Sequence, residues 1–303
     1  MIRLAPALSA GARVALVAPS GPLRIPSDLD RATSNAVTLG WEPVIGGHAH
    51  EKSDYFAGGD DHRLADLNAA LNDDRIDAVW CLRGGYGAMR LLDGIDYDAL
   101  RKKPKAIIGY SDITALHCAV MQRAGIGGIH GPTARAKLTS FAEKSLRAAA
   151  THSGDPCGEA RDAKTLVPGK ARGRVLAGNL ALLCALHGTP YQPDYSGKLL
   201  VVEDVNEAPY RIERMLLQLR LSGVLDKCSG IAFGSFSNTG ENDDSSLGGS
   251  RTVNKVLEEA AKAVGVPAIA GIPVGHMDDQ WSLPQGAEAE LDADGLRLSV
   301  SLT

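Results

Sequence analysis

No stretch of the chain approaches the run of about 18 apolar residues that a membrane-spanning helix requires. Positive charge is not in excess either: 32 Lys and Arg stand against 36 Asp and Glu, a formal net charge of −4. That near-balance argues against nucleic-acid binding driven by phosphate neutralisation. The cysteines are five, an odd count, scattered at Cys81, Cys118, Cys157, Cys184 and Cys228, with no CxxC pair among them. A disulfide framework and a cysteine-based zinc site are thereby disfavoured. Four of the five sit in apolar or helix-like runs, where cysteine behaves as a small buried hydrophobe. The eight histidines show no HExxH or paired zinc spacing, so no metal and no cofactor are expected. At the N-terminus, Ser9, Gly11 and Arg13 interrupt what would have to be the apolar core of a secretory signal, and none is read. These absences lead to the expectation of a cytoplasmic protein with no membrane and no nucleic-acid partner.

What is present is an ordinary globular composition, 44% apolar and 22% charged over 303 residues. At roughly 150 residues per domain this length suggests two domains. In the first part, short apolar runs (Val14–Ala18, Trp41–Ile45, Ala78–Leu82, Ala106–Gly109, Gly127–His130) alternate with helical stripes such as Leu64, Leu67 and Leu71. Strand and helix in that alternation mean a parallel sheet covered on both faces. Pro43 places its strand at an edge or a bulge. From about Ala134 to Ala171 large apolar residues become rare, and the segment reads as a linker or mobile excursion with one short helix at Phe141–Ala150. A second unit follows, with strands at Val175–Ala177, Leu199–Val202, Ile231–Phe236 and Ala268–Ile272 and helices at Pro209–Ser222 and Thr252–Val264. Glu288–Asp292 and Gly295–Leu302 alternate polar with apolar residues and read as a terminal hairpin. Asn238–Ser250 reads as a polar loop. The expected boundaries are 1–135, 136–171 and 172–303.

The sharpest local feature is Ile107-Ile108-Gly109-Tyr110-Ser111-Asp112-Ile113. A buried strand ends, the chain turns and a helix starts. A serine at that corner presents Oγ above the carboxyl ends of the strands, where open α/β sheets hold their sites. The turn is like a nucleophile elbow, but Ile113 stands where G-x-S-x-G has its second glycine. The same residues fit plain helix capping by Ser111 or Asp112. Arg83-Gly84-Gly85-Tyr86-Gly87 also follows a buried strand, and glycine-turn N–H groups can hold an anion. A serine nucleophile needs a base, and the base an orienting partner. His48, His50, His62 and His152 lie in polar stretches and read as solvated, while His117 and His187 read as packed in helices. His130 and His276 could each face a cleft. Glu203 ends the apolar run Leu199–Val202 as a candidate orienting acid, although on local grounds an ordinary ion pair or helix cap at a strand exit is the better reading.

Taken together, Ala15-Leu16-Val17-Ala18-Pro19-Ser20-Gly21, Arg63-Leu64-Ala65-Asp66-Leu67, Arg83-Gly84-Gly85-Tyr86-Gly87, Gly109-Tyr110-Ser111-Asp112, His130-Gly131-Pro132, Gly178-Asn179-Leu180, Val202-Glu203-Asp204, Tyr210–Met215 and Gly275-His276 resemble, in order, the LD-carboxypeptidase family. That family comprises muramoyl-tetrapeptide carboxypeptidases and microcin C7 self-immunity proteins, serine peptidases of the S66 type. Two positions depart from its pattern: Ala177, where glycine is frequent, and Gln285 in Leu283-Pro284-Gln285-Gly286. The resemblance implies an α/β protein with a Rossmann-like parallel-sheet N-terminal domain and a smaller mixed α/β C-terminal domain, the active site lying in the cleft between them. It further implies a triad of Ser111 as nucleophile, His276 as base and Glu203 as its orienting acid, with the N–H groups of Gly85 and Asp112 as oxyanion hole. Arg83 and Arg211 are candidate anchors for a substrate carboxylate. The implied reaction releases the terminal D-Ala from a murein tetrapeptide during cell-wall recycling, by a homodimer. Two other readings are a peptidase that splits a peptidyl-nucleotide and a catalytically silent binding protein on the same scaffold. The first of these is expected to use an aromatic residue in a mobile loop, and 134–171 holds only Phe141.

Overall fold

The computed structural model describes residues 2–158, 160–240 and 251–302. Most of the expected polar loop Asn238–Ser250, from 241 to 250, lies outside them. Residues 14–17 of strand Arg13–Val17, together with strands Ala78–Cys81 and Ala106–Gly109, are apolar runs with no polar alternation, and they are buried on both faces. Such strands are stable only with helices on either side. They form the middle of a six-stranded sheet in the order Leu283–Pro284, Ile129–His130, Ala106–Gly109, Ala78–Cys81, Arg13–Val17, Glu42–Ile45. All pairings are parallel except that of Leu283–Pro284 with Ile129–His130. Glu42–Ile45 is the edge, so the missing N–H of Pro43 breaks no central ladder. Helices Ser27–Thr38, Asp60–Asn72 and Thr114–Ala124 connect the strands, and the last is buried along nearly its whole length. It ends at Gly125 with φ +70°, a left-handed cap that glycine adopts without a Cβ penalty.

The second sheet has seven strands in the order Arg297–Ser301, Glu288–Asp292, Lys170–Asn179, Lys198–Val205, Gly230–Ser237, Ala268–Ala270, Lys164–Val167. Its four central strands are parallel, and antiparallel strands close it on both sides. Helix Val253–Val264 packs against it, and helix Pro209–Leu221 packs beside that helix. The terminal hairpin is present at Glu288–Asp292 and Arg297–Ser301.

Residues 136–171, expected as a linker, carry more structure than their composition suggests. Helix Ser140–Thr151 buries Leu146, Ala149 and Ala150 completely or nearly so. Strand Lys164–Val167 pairs with Ala268–Ala270. Alanine-rich faces bury well without the large side chains that announce a core. The strand is short and half-exposed, so no periodicity marks it. The halves are also interlocked, because Leu283–Pro284 crosses back to finish the first sheet. Cys81, Cys118, Cys184 and Cys228 are buried, and Cys157 is partly so. No helix among the described residues is long and apolar enough to cross a membrane.

Candidate active site

Strand Ala106–Gly109 stops at Gly109, and Ser111 opens a single 3₁₀ turn, Ser111–Ile113, that runs into helix Thr114–Ala124. Ser111 has φ +64°. A left-handed backbone in a non-glycine residue costs of order 1–3 kcal/mol and persists where its surroundings enforce it, typically at functional sites. The absent second glycine of the elbow is accounted for one turn away: a Cβ at Gly109 would stand 3.0 Å from Ile113 Cγ1. Gly109 thus provides the space that lets Ile113 occupy that position. Gly84 has the same relation to the serine itself, since a Cβ there would lie 3.0 Å from Ser111 Cβ and 3.2 Å from its Oγ.

Asp112 is buried, and its carboxylate ties together three loops. It accepts from Ser20 Oγ at 2.6 Å and from the Ala88 N–H at 2.8 Å. Burial raises its pKa, and these two hydrogen bonds oppose that rise. Buried Arg63 donates to the carbonyls of Pro19 and Gly87 and pairs with Asp60. Pro19-Ser20-Gly21, the Gly84–Gly87 turn and the Ser111 elbow are therefore clamped as one unit. The Gly21 N–H adds a bond to Gly84 O at 3.1 Å. Among the described residues the N–H groups of Gly85 and Asp112 have no acceptor. Unpaired N–H groups held rigidly beside a serine are the elements of an oxyanion hole.

His276 arrives from the other half of the chain. Its Nε2 stands 3.2 Å from Ser111 Oγ, and its Nδ1 stands 2.7 Å from Glu203 Oε2. Glu203 is fully buried on strand Lys198–Val205. The register of that strand against Gly230–Ser237 shifts between Val202 and Asp204; irregularities of this kind re-aim side chains next to active sites. Gly275 has φ +113°, and a Cβ there would lie 2.7 Å from Glu203 Cβ and Oε2. Gly275→Ala is expected to push the carboxylate off the imidazole and to lower kcat by about a hundredfold, as an ångström-scale misplacement does. Steady-state kinetics with circular dichroism as a folding control check this.

The sequence left His130 and His276 as rivals, and the structure separates them. His130 is completely buried, and burial drives its pKa down to about 3. Its ring lies against the Tyr110 ring at 6.2 Å, whereas Tyr110 packs on His276 at 4.9 Å. His117 is packed, as expected, with Nε2 at 3.0 Å from Ile107 O and a pKa pushed down to about 4 by burial. Arg83 donates to Pro22 O at 2.7 Å. With Arg24, Lys52, Tyr55, Gly85 and Tyr86 it lines an open cleft of about 580 Å³ that adjoins the glycine turn. Arg211 points to different partners, Glu207 at 3.6 Å and the Tyr210 hydroxyl at 3.2 Å. Sequence reasoning passed over Ser20, Arg63 and Gly275 as functional positions; their only signal was membership in the resembling motifs. The two departures from the family pattern meet: the Gln285 side chain accepts from the Ala177 N–H at 2.9 Å and donates to the Ala177 carbonyl at 2.5 Å. An amide in that position pairs with the backbone as a neighbouring strand would.

A serine at a strained strand-to-helix turn on an α/β fold, with a histidine and a buried acid in line, has the geometry that serine hydrolases use. Residues 14–131 match the LD-carboxypeptidase N-terminal domain, and residues 172–291 match the C-terminal domain of the same family. The chain belongs to the LD-carboxypeptidase family. A "Probable murein peptide carboxypeptidase" of Bacillus subtilis is 38% identical over 94% of this chain and 90% of its own. The "Murein tetrapeptide carboxypeptidase" of Pseudomonas aeruginosa is 33% identical over 94% of both chains. Among solved structures, MccF in complex with glutamyl sulfamoyl guanosine superposes with a TM-score of 0.88 at 23% identity, covering 99% of this chain and 98% of that one. At that identity the superposition speaks for the fold alone.

Proposed function

We propose that this protein is a serine-type LD-carboxypeptidase that removes the terminal D-Ala from murein tetrapeptides. The observation that carries the proposal is the continuous chain Ser111 Oγ, His276 Nε2, His276 Nδ1, Glu203 Oε2, at 3.2 and 2.7 Å. Relatives named for murein peptides, matched over nearly the full length, support the substrate class. In the reaction, Ser111 Oγ attacks the carbonyl of the L,D amide as its proton passes to His276 Nε2. Glu203 holds the imidazole in the reactive tautomer and stabilises the imidazolium. The oxyanion faces the N–H groups of Gly85 and Asp112. His276 then gives the proton to the departing amine of D-Ala. Water, deprotonated by the same imidazole, hydrolyses the acyl-serine. The proposal includes a cytoplasmic place of action and a homodimer, the latter checked by light scattering.

Mass spectrometry of the products from a murein tetrapeptide and from a peptidyl-adenylate analogue tests the substrate. Release of D-Ala alone is expected, and cleavage of only the nucleotide conjugate would overturn the assignment. A silent binding protein would leave Ser111 unlabelled by a fluorophosphonate, whereas the triad predicts labelling.

Carboxypeptidase action needs an anchor for the terminal carboxylate, and Arg83 beside the oxyanion turn is placed for it. A tetrapeptide with a C-terminal amide should be cleaved far more slowly than the free acid. Arg83→Gln should show the same defect on the free acid, with kcat/KM down roughly ten- to a hundredfold, the cost of one charge-assisted hydrogen bond. Equal rates on amide and acid would refute carboxylate recognition. Arg211→Gln serves as the comparison, because its contacts are with Glu207 and Tyr210.

A further inference from the structure

His48, Glu51 and His62 lie outside everything used above. The sequence offered no metal signature at their spacing, and both histidines read as solvated. In the fold their rings stack, with centroids 4.2 Å apart. Each imidazole is already held by a carboxylate. His48 Nδ1 lies 2.7 Å from Asp66 Oδ1, and His62 Nδ1 lies 2.8 Å from Glu51 Oε2. Asp61 Oδ2 stands 3.9 Å from His62 Nε2.

From this cluster we infer that the protein binds one divalent transition-metal ion of the zinc class through His48, Glu51 and His62, with Asp66 orienting His48. One donor atom from each of the three lies within 4.8 Å of the others. Ligands of a single tetrahedral zinc, bound at about 2.1 Å, stand roughly 3.4 Å apart. Small rotations of half-exposed side chains close that difference. The buried Asp66 carboxylate also accepts the His48 backbone N–H at 2.9 Å. It therefore fixes the ring and leaves Nε2 free, the carboxylate–histidine arrangement that second-shell groups give to metal ligands. The electrostatics favour a cation. Three carboxylates, those of Glu51, Asp61 and Asp66, converge on two imidazoles. Among the described residues no lysine or arginine makes an ion pair with any of them. Neighbouring Asp60, by contrast, is neutralised by Arg63 and Arg90. Glycine at position 58 keeps the seat open, since a Cβ there would collide with the Glu51 carboxylate. Two imidazoles and a carboxylate select zinc, cobalt or nickel over magnesium and calcium.

The metal would have a mechanical effect. Glu51 lies on the segment that also carries Lys52, Asp54 and Tyr55 to the rim of the cleft beside Arg83. His62 lies on helix Asp60–Asn72. The ion would pin that rim to the helix, and it takes no part in the chemistry at Ser111.

The test uses the full, tag-free chain, stripped with a chelator and titrated with zinc chloride in a calorimeter. Cobalt(II) absorption reports the ligand field, and magnesium serves as the control ion. One zinc per chain is expected, with a rise in Tm. His62→Ala and His48→Ala should each weaken binding by at least tenfold, and Asp66→Asn by roughly ten- to a hundredfold. His50→Ala and His276→Ala should bind as the parent does. His62 is half-exposed, so its variant stays folded and keeps the test valid should His48→Ala unfold. Absence of zinc binding would overturn the inference. So would binding unchanged in His62→Ala, or lost in His276→Ala.

Discussion

Replacing Ser111 with alanine is expected to abolish turnover while leaving the fold intact. Losses for the nucleophile of a serine triad reach about a million-fold in kcat. The structure explains why folding should survive. Ser111 Oγ contributes to no core packing, and among the described residues its hydrogen-bond partner is His276 at 3.2 Å. The clamp that holds the elbow runs instead through the Asp112 carboxylate to Ser20 and Ala88. Alanine still has to adopt φ +64° at position 111, so the strain is unchanged. Circular dichroism and Tm should match the parent within error, and mass spectrometry should find no acyl-enzyme. A variant that keeps more than a few per cent of kcat would remove Ser111 as nucleophile.

His276→Ala should be nearly as damaging, because without the imidazole no group in line with Ser111 takes its proton. Glu203→Gln should cost less, about ten-thousand-fold, as orienting acids do. Glu203 is fully buried and bonded to the imidazole at 2.7 Å. The glutamine fills the same space, so packing is retained while the charge that stabilises the imidazolium is lost. His130→Ala is the decisive comparison. A buried neutral histidine with no line to Ser111 should lower Tm more than kcat. If His130→Ala were inactive and His276→Ala active, the base would have to be reassigned.

Several features were legible along the chain because the physics behind them is local. Buried strands at Ala78–Cys81 and Ala106–Gly109 follow from unbroken apolar runs, and the edge position of Glu42–Ile45 follows from Pro43. The terminal hairpin follows from alternation around Ala293-Asp294-Gly295. The Ser111 corner was visible as a strand end meeting a helix start. What stayed hidden was everything that depends on distance through space. Strand Lys164–Val167 has no apolar run, and its edge position makes none necessary. Leu283–Pro284 is two residues long and gains its place only from the Ile129–His130 edge beside it.

The site divides in the same way. Sequence by itself determined an α/β protein with a parallel sheet, no membrane-length apolar run, and a serine at a turn where oxyanion donors are available. Its ordered motifs further pointed to Ser111, Glu203 and His276. On local grounds it favoured capping over a nucleophile at Ser111, and it left His130 and His276 both eligible. Tertiary structure supplies what local pattern lacks, because it alone brings residues 111, 203 and 276 within hydrogen-bond reach and seals His130 away from solvent. The same holds for Ser20, Arg63 and the His48–His62 stack. A backbone preference acts over a few residues and leaves a pattern in sequence. A hydrogen bond between groups 165 positions apart leaves none, since only the packing of the two sheets fixes that distance.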